Sequence, residues 1–302
     1  MDRRGFLRLG GGLAAGGALA VGGAGYAVEQ EWLPGRARLH QLLGMVGDAP
    51  VIPDVRVGPI VSGELSSARS AGRAVGWSVL RPYGVRGRLP VVIGLHGRGS
   101  NHTKLIDSLH LGEFLTDNVR RGHPPYAIVT VDGFRSSYYH PRGTGEEAGT
   151  DMGAVVLEDL LPMLARRKEL ELQVDRVGFY GYSMGGYGSL RLASILGPER
   201  VSGVVATSPA IWKDADDSPA GSFDDADDFR EHTLFGHEDL LAGIPVRIDC
   251  GSDDPFHRGV AAYREALDPE PAGGLSPGLH NSDFAMRKLP AALAFLSDHA
   301  TH

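Results

Sequence analysis

The chain has 302 residues, which is long enough to bury a large hydrophobic core without disulfide or metal cross-links. Its net charge of −7 argues against a protein whose main task is to bind nucleic acid, because such proteins carry an excess of Lys and Arg. The single cysteine, Cys250, excludes an intramolecular disulfide framework and any zinc or iron–sulfur site built from clustered cysteines.

The N-terminal segment has the pattern of an export signal. Two consecutive arginines, Arg3 and Arg4, precede the 20 uncharged residues 9–28, of which eight are glycine. A cationic start before a weakly apolar stretch of small residues is typical of a signal peptide, and the paired arginines are typical of the twin-arginine route. We therefore expect residues 1–27 to be a twin-arginine-type signal peptide of a secreted, periplasmic or cell-envelope protein. An uncleaved N-terminal membrane anchor is the alternative.

The rest of the chain has an alternating pattern of strands and helices. Residues 28–71 form an N-terminal extension in which only 36–45 shows helical periodicity. Apolar stretches predict strands at residues 74–80, 89–95, 126–131, 174–180, 201–206 and 244–249. Periodicity predicts helices at residues 104–121, 152–170, 184–196, 258–267 and 288–299, with Asp151 as the N-cap of the second. The alternation indicates a parallel sheet with crossover helices, so residues 72–302 are expected to form one α/β catalytic domain.

An acidic insertion interrupts this alternation at residues 209–243, which contain eight aspartates. A calcium site is one interpretation, but the ligand spacing of a calcium-binding loop is absent. We therefore expect a solvated loop in which Asp227 and Asp228 cap a helix that begins near Phe229.

A candidate nucleophile lies between the strand predicted at 174–180 and the helix predicted at 184–196. There the chain reads Gly181-Tyr182-Ser183-Met184-Gly185, which is a G-x-S-x-G motif. Between a strand and a helix this motif forms a nucleophile elbow, a tight turn that lifts the serine hydroxyl above the sheet at the N-terminus of a helix. We expect Ser183 to be the catalytic nucleophile.

A serine nucleophile needs a base and an acid, which on this type of sheet follow it in the order acid, then histidine. Asp253 and Asp254 lie on the loop after the strand at 244–249, and the spacing from Gly251 favours Asp254 as the acid, with Asp253 as the alternative. Asp249 lies within the strand and is the weakest candidate. His280, on a loop rich in Gly and Pro before the last predicted helix, is the expected base.

The loop after the strand at 89–95 is the expected oxyanion loop. The backbone N–H of Arg98, together with that of Met184, is predicted to bind the oxyanion. His96 begins this loop and is expected to support it rather than to act in catalysis. The sequence holds no H-E-x-x-H motif, and we expect neither a metal site nor a cofactor.

Together these motifs resemble the α/β-hydrolase superfamily and, within it, the esterase group that includes S-formylglutathione hydrolase and the antigen 85 mycolyltransferases. The resemblance spans roughly residues 72–300 and rests on LHGRGSN at 95–101, GYSMGG at 181–186, IDCGSDDPF at 248–256 and GLHNSDF at 278–284. It implies an α/β-hydrolase fold: a mostly parallel central sheet, helices on both faces and a short acidic insertion after the sixth strand.

The resemblance also implies a catalytic triad of Ser183, Asp254 and His280. Tyr139 and His140 fall where such esterases border the active site, which predicts that they line the substrate pocket. Two features depart from the family pattern. A strand before His280 is barely visible in residues 268–275, and the acid is Asp where antigen 85 proteins use Glu.

The second departure favours simple ester hydrolysis over mycolyl transfer. The sequence thus predicts a serine carboxylesterase that acts through an acyl-enzyme on a small-molecule or lipid ester, with association with the cell envelope as a further expectation. A cell-envelope acyltransferase and a catalytically inactive binding module with this fold are the alternatives.

Overall fold

The computed structural model describes residues 35–300, so the predicted signal peptide, residues 1–27, lies outside the described residues. The chain divides into two compact units, with the boundary between Asp48 and Ala49. The described part of the first unit contains the short helix α1 (Arg36–Leu42), inside the stretch predicted to be helical. Across residues 35–300, none of the helices combines the length and the hydropathy needed to cross a bilayer.

A mostly parallel sheet forms the centre of the second unit. Among residues 49–300 the strands are, in chain order, β1 (Ile60–Leu65), β2 (Val75–Leu80), β3 (Leu89–Leu95), β4 (Ala127–Val131), β5 (Pro141–Arg142), β6 (Thr150–Asp151), β7 (Leu172–Tyr182), β8 (Val201–Thr207), β9 (Val246–Gly251) and β10 (Ala272–Ser276). Eight of these strands make the sheet, in the order β1–β2–β4–β3–β7–β8–β9–β10, and β5 pairs with β6 separately. β2 runs antiparallel to β1 and β4, and the other neighbours in the sheet are parallel.

Helices cover both faces of this sheet. In chain order they are α2 (His102–Ser108), α3 (Leu111–Arg120), α4 (Met152–Ala154), a π-helical segment (Val155–Leu160), α5 (Leu161–Arg166), α6 (Met184–Leu196), α7 (Ala226–His232), α8 (His257–Ala266) and α9 (Ser282–Ala300). Side chains from α4 to α8 join one hydrophobic cluster, and those from α2, α3 and α9 join a second. The predicted arrangement, a parallel sheet between two helical layers, is confirmed.

The central strands are buried on both faces, which explains their uninterrupted apolar sequences. Every residue of β4 is buried, and β3 begins and ends at the predicted residues. The helix α6 also spans the predicted residues, and Asp151 accepts a hydrogen bond from the backbone N–H of Ala154 at 2.9 Å, as expected of an N-cap.

The helix predicted at 104–121 is divided into α2 and α3. His110 separates them with a φ of 49°, a left-handed conformation that a continuous α-helix does not allow. Leu109, Leu111 and Phe114 are all buried, so the apolar periodicity continues across the break and conceals it in the sequence.

Two edge strands differ from the sequence prediction. β1 lies inside the segment 28–71 that was predicted as an extension, so the sheet begins at residue 60 rather than after residue 71. Ile60 and Val61 are both almost half exposed, and such an edge strand lacks the burial pattern of an inner strand. β10, which the sequence barely indicated, pairs in parallel with β9 through the backbone of a segment that contains Gly273 and Gly274. Backbone pairing of this kind leaves little trace in side-chain hydropathy.

The acidic residues 209–243 lie between β8 and β9 and contain α7. The N-cap of α7 is Asp225, whose carboxylate accepts hydrogen bonds from the N–H groups of Asp227 and Asp228 at 2.9 Å each. The prediction that Asp227 and Asp228 cap this helix is therefore wrong. The helix begins at Ala226, three residues before Phe229, so both aspartates lie in its first turn. Asp225 meets the preference for an acidic N-cap equally well.

Candidate active site

Ser183 occupies a strained turn between β7 and α6. Its φ of 57° and ψ of −118° are unfavourable for a residue with a side chain, and its N–H donates to the carbonyl of Thr207 at 3.0 Å. Gly185 follows in the first turn of α6, where a Cβ atom would collide with the carbonyl group of Leu95. The glycine thus lets α6 approach β3 closely, and the turn places Ser183 directly after the last residue of β7.

His280 connects Ser183 to a buried carboxylate. Its Nε2 lies 2.9 Å from the Oγ of Ser183, and its Nδ1 lies 2.7 Å from Oδ2 of Asp254. Asp254 is fully buried, and its other oxygen accepts a hydrogen bond from the N–H of Phe256 at 2.9 Å. The three side chains expected to form the triad therefore make one continuous chain of hydrogen bonds.

The other two aspartates near β9 have different partners. Asp253 receives a hydrogen bond from the hydroxyl of Ser252 at 3.3 Å, and its own N–H donates to the carbonyl of Gly278. Asp249 forms an ion pair with Arg247 at 2.7 Å. Of the two candidates left open by the sequence, it is Asp254 that the structure places against His280.

Two aromatic rings hold the imidazole of His280. The ring of Tyr182 stacks on it at 5.2 Å between centroids, and the ring of Phe256 meets it edge-on at 4.9 Å. Both lie within two residues of a predicted site residue in the chain, yet the sequence analysis did not select them. Their aromatic character within the motifs at 181–186 and 248–256 was the available signal.

Cys250 is a further neighbour of the triad that sequence reasoning missed. Burial raises the pKa of its thiol, and the carboxylate of Asp254, to which the thiol is hydrogen-bonded, raises it further. The thiol therefore keeps its proton and acts as a donor to Asp254 at neutral pH. The sequence alone could not show this contact with Asp254, because Cys250 has the pattern of an ordinary buried residue in a strand.

The predicted oxyanion loop lies directly beside Ser183. A Cβ atom on Gly97 would lie 3.3 Å from the Cβ of Ser183, so the backbone that leads into Arg98 passes against the nucleophile. The guanidinium of Arg98 points toward the insertion and donates to the carbonyl of Ala220 at 3.2 Å. Met184 begins α6, and the N–H groups of a first helical turn have no partner within the helix.

His96 supports this loop with both ring nitrogens. Its Nε2 accepts a hydrogen bond from the N–H of Gly133 at 2.7 Å, which leaves the proton on Nδ1 to donate to the carbonyl of Gly97 at 2.8 Å. Burial lowers the pKa of His96, which favours this neutral form. The ring thus joins the ends of β3 and β4 below the oxyanion loop.

Tyr139 and His140 do not line an open pocket, contrary to the sequence expectation. Both side chains are fully buried. The Tyr139 ring fills the space left by Gly133 and Gly188, and His140 stacks on Phe223 at 5.1 Å between centroids. The segment that contains them turns inward through left-handed residues, including Tyr139 itself at a φ of 53°.

His140 also belongs to a cluster that the sequence analysis missed. Oδ1 of Asp228 lies 2.8 Å from Nδ1 of His232 and 3.6 Å from Nδ1 of His140. One donor atom from each of the three residues lies within 4.8 Å of the others. Asp228 and His232 are four residues apart on α7, a spacing common to paired ligands on one helix face, and this was the signal available in the sequence.

A cavity of about 270 Å³ adjoins the oxyanion loop. Polar and charged side chains of both signs dominate its lining, together with one aromatic ring, and the lining residues include Arg73, Asn101, Asp132, Phe134, Arg135 and Glu147. Gly99 and Ser100 of the oxyanion loop also line this cavity, whereas the three side chains of the expected triad do not.

The order of the sheet strands, the helices on both faces and the elbow at Ser183 define an α/β-hydrolase. The family described as "Putative esterase" matches residues 68–265, which is about two thirds of the chain. The chain therefore belongs to this esterase family and is a hydrolase of the esterase type. Among curated proteins, no sequence matches it significantly.

Solved structures show the same fold. A ferulic acid esterase superposes with a TM-score of 0.66 at 17% identity, covering 80% of this chain and 98% of its own. An S-formylglutathione hydrolase from Agrobacterium tumefaciens gives a TM-score of 0.65 at 17% identity, covering 83% of this chain and 99% of its own. The fluorophosphonate-binding serine hydrolase F of Staphylococcus aureus gives 0.62 at 16%, with coverages of 80% and 99%. These similarities confirm the predicted α/β-hydrolase fold.

Proposed function

We propose that this protein is a serine esterase that hydrolyses carboxylic esters of small molecules through a triad of Ser183, His280 and Asp254. The observation that carries the proposal is the hydrogen-bond chain from the Ser183 hydroxyl through His280 to the buried carboxylate of Asp254, with distances of 2.9 Å and 2.7 Å. In this arrangement the imidazole is oriented to accept the proton of the serine hydroxyl, which is a weak nucleophile without such a base.

The reaction begins when the Oγ of Ser183 attacks the ester carbonyl carbon while Nε2 of His280 takes the hydroxyl proton. The carbonyl oxygen becomes an oxyanion, which the N–H groups of Arg98 and Met184 stabilise. The intermediate collapses to an acyl-enzyme as the imidazolium returns the proton to the departing alcohol. A water molecule then attacks the acyl group, with His280 again as the base, and the carboxylic acid leaves Ser183 with its hydroxyl restored.

The polar cavity beside the oxyanion loop supports a small, polar ester substrate rather than a long lipid chain. Its lining carries both guanidinium and carboxylate groups, which favour hydroxyl or amide groups on the substrate over a purely apolar chain. The family membership of the chain supports the reaction class. So do its structural neighbours, which include a ferulic acid esterase and an S-formylglutathione hydrolase.

Hydrolysis of p-nitrophenyl acetate and longer p-nitrophenyl esters by the purified protein, and by its Ser183→Ala variant, tests the proposal. We expect the variant to fold and to lose at least about 10³-fold in kcat, because the nucleophile is removed. The matched control is Ser189→Ala, which changes a buried serine on the same helix, α6, and should leave kcat almost unchanged. A fluorophosphonate probe should label the wild type but not Ser183→Ala, and labelling that persists in this variant would assign the nucleophile elsewhere.

We further propose that the protein is exported by the twin-arginine route. The proposal is supported by Arg3 and Arg4 before the uncharged, glycine-rich residues 9–28. The double variant Arg3→Lys, Arg4→Lys keeps the charge and should remain in the cytoplasm when cells are fractionated. Fractionation of the wild type also separates released, periplasmic and membrane-attached protein. Unchanged export of the double variant would contradict the route.

A further inference from the structure

The base of the proposed mechanism lies between two aromatic rings that the mechanism itself does not use. Tyr182 is the last residue of β7 and stacks on His280, with 5.2 Å between the ring centroids and 22° between the ring planes. Phe256 directly precedes α8 and meets the same imidazole edge-on, at 4.9 Å and 84°. One ring therefore covers a face of the imidazole, and the other stands nearly perpendicular to it.

Neighbouring residues hold both rings in place. A Cβ atom on Gly97 would lie 3.3 Å from Cδ1 of Tyr182, so the Tyr182 ring lies between the backbone of the oxyanion loop and the imidazole of His280. On the other side, Trp212 meets Phe256 edge-on at 5.3 Å between centroids, and Trp212 is itself buried. Neither ring can move away from the imidazole unless these packed neighbours also move.

Phe256 also links the base to the acid. Its N–H donates to Oδ1 of Asp254 at 2.9 Å, while the other carboxylate oxygen, Oδ2, lies 2.7 Å from Nδ1 of His280. This one residue thus contacts the carboxylate through its backbone and the imidazole through its ring. The turn before α8 therefore sets the position of the acid and of the base together.

The reaction makes the hydrogen bond between His280 and Ser183 temporary. Before the reaction Nε2 of His280 lies 2.9 Å from the Oγ of Ser183. Once the acyl group is attached, this oxygen carries no proton and cannot donate to Nε2, yet the imidazole must stay in place to activate the water molecule. The hydrogen bond to Asp254 and the contacts with the two rings are still present at that stage to orient the base.

We propose that Tyr182 and Phe256 are positioning residues that keep Nε2 of His280 directed at Ser183 throughout the catalytic cycle, an inference that rests on the proposed esterase function. Contacts between two rings at such separations favour one arrangement over its alternatives by a factor of up to about ten. The rings contact the base, so their loss should lower kcat and leave KM nearly unchanged.

The test compares Tyr182→Leu with Tyr182→Phe in the full chain, with p-nitrophenyl butyrate as the substrate. Tyr182→Leu removes the ring and should lower kcat about tenfold, while KM stays within about threefold of the wild type. Tyr182→Phe keeps a ring in the same place and should restore kcat to within about twofold of the wild type. Phe256→Leu should lower kcat by about the same factor as Tyr182→Leu.

The matched control is Phe295→Leu. Phe295 is partly buried against the same hydrophobic cluster as Tyr182, and its ring lies 4.5 Å from that of His299, a histidine outside the triad. This variant should lower Tm by about as much as Tyr182→Leu but keep kcat within about twofold of the wild type. Equal kcat in Tyr182→Leu and Phe295→Leu, failure of Tyr182→Phe to restore kcat, or a change confined to KM would overturn the proposal.

The rate at which a fluorophosphonate probe labels Ser183 provides a second measurement, because it depends on the base but not on the choice of ester. Tyr182→Leu should be labelled about tenfold more slowly than the wild type. Absence of labelling in the wild type would overturn the esterase function and this proposal together, whereas labelling of folded Tyr182→Leu at the wild-type rate would overturn this proposal alone. Should Tyr182→Leu fail to fold, Phe256→Leu decides, because Phe256 is only partly buried.

Discussion

Replacement of Asp254 by Asn should remove most of the activity without unfolding the protein. The side chain keeps its size, but only one of its two terminal atoms can still accept a hydrogen bond. In the structure the two carboxylate oxygens of Asp254 accept from Nδ1 of His280 at 2.7 Å and from the N–H of Phe256 at 2.9 Å. An amide oxygen that keeps the Phe256 contact turns the NH₂ group toward His280.

That NH₂ group can only donate, so it favours the tautomer of His280 in which Nε2 carries the proton. Nε2 would then donate to Ser183 at 2.9 Å instead of accepting its proton, and the base would be lost. A triad held in the wrong tautomer typically loses about 10⁴-fold in kcat, which corresponds to about 5.5 kcal/mol of transition-state stabilisation.

The assay measures kcat with p-nitrophenyl butyrate and Tm for Asp254→Asn and for its matched control, Asp253→Asn. The control changes the adjacent aspartate, which the structure directs to Ser252, and its kcat should stay within about threefold of the wild type. The reasoning is refuted if Asp254→Asn keeps more than a tenth of the wild-type kcat, or if Asp253→Asn is the inactive variant.

Three further predictions concern the backbone and the oxyanion loop. Ser183→Gly should have a higher Tm than Ser183→Ala, although both variants should be inactive. Glycine relieves the unfavourable φ and ψ at this position, which cost about 1–3 kcal/mol. Equal Tm values in differential scanning fluorimetry would contradict the inference that the backbone is strained here. Gly185→Ala should lower Tm by more than about 5 °C or prevent folding, because its Cβ would collide with the Leu95 carbonyl. The control Gly203→Ala should be tolerated, because its Cβ would make ordinary contacts at 3.5 Å and beyond. Similar Tm values for the two variants would refute the packing argument. Burial places the pKa of His96 below its ordinary 6.5, so just below pH 6.5 the unfolded chain binds more protons than the folded protein. The stability that this residue contributes is therefore lost as the pH falls from about 6.5 toward the lower folded pKa. Tm measured between pH 7.5 and 5 should fall more in the wild type than in a folded His96→Asn variant, and parallel Tm profiles would contradict the assignment.

The sequence alone determined the elements whose information is local. β3 is buried on both faces and therefore has a continuous apolar run, and α6 begins directly after a motif with an unusual turn. The same local chemistry selected Ser183, because a G-x-S-x-G motif between a strand and a helix leaves few alternatives. His280 was selected by its loop and by its place in the chain order. The edge strands β1 and β10 were missed or weak because exposure and backbone pairing leave no apolar pattern.

Only the tertiary structure decided which side chains meet. Asp253 and Asp254 are neighbours on one loop, and the sequence could not establish which of them points at His280, because the direction of a side chain on a turn depends on the packing around it. Tyr139 and His140 were placed in a pocket by their position in the chain, but left-handed backbone turns bury them. The approach of His140 to Asp228 joins residues 88 positions apart, and no local pattern encodes a contact that exists only after the insertion has packed onto the sheet.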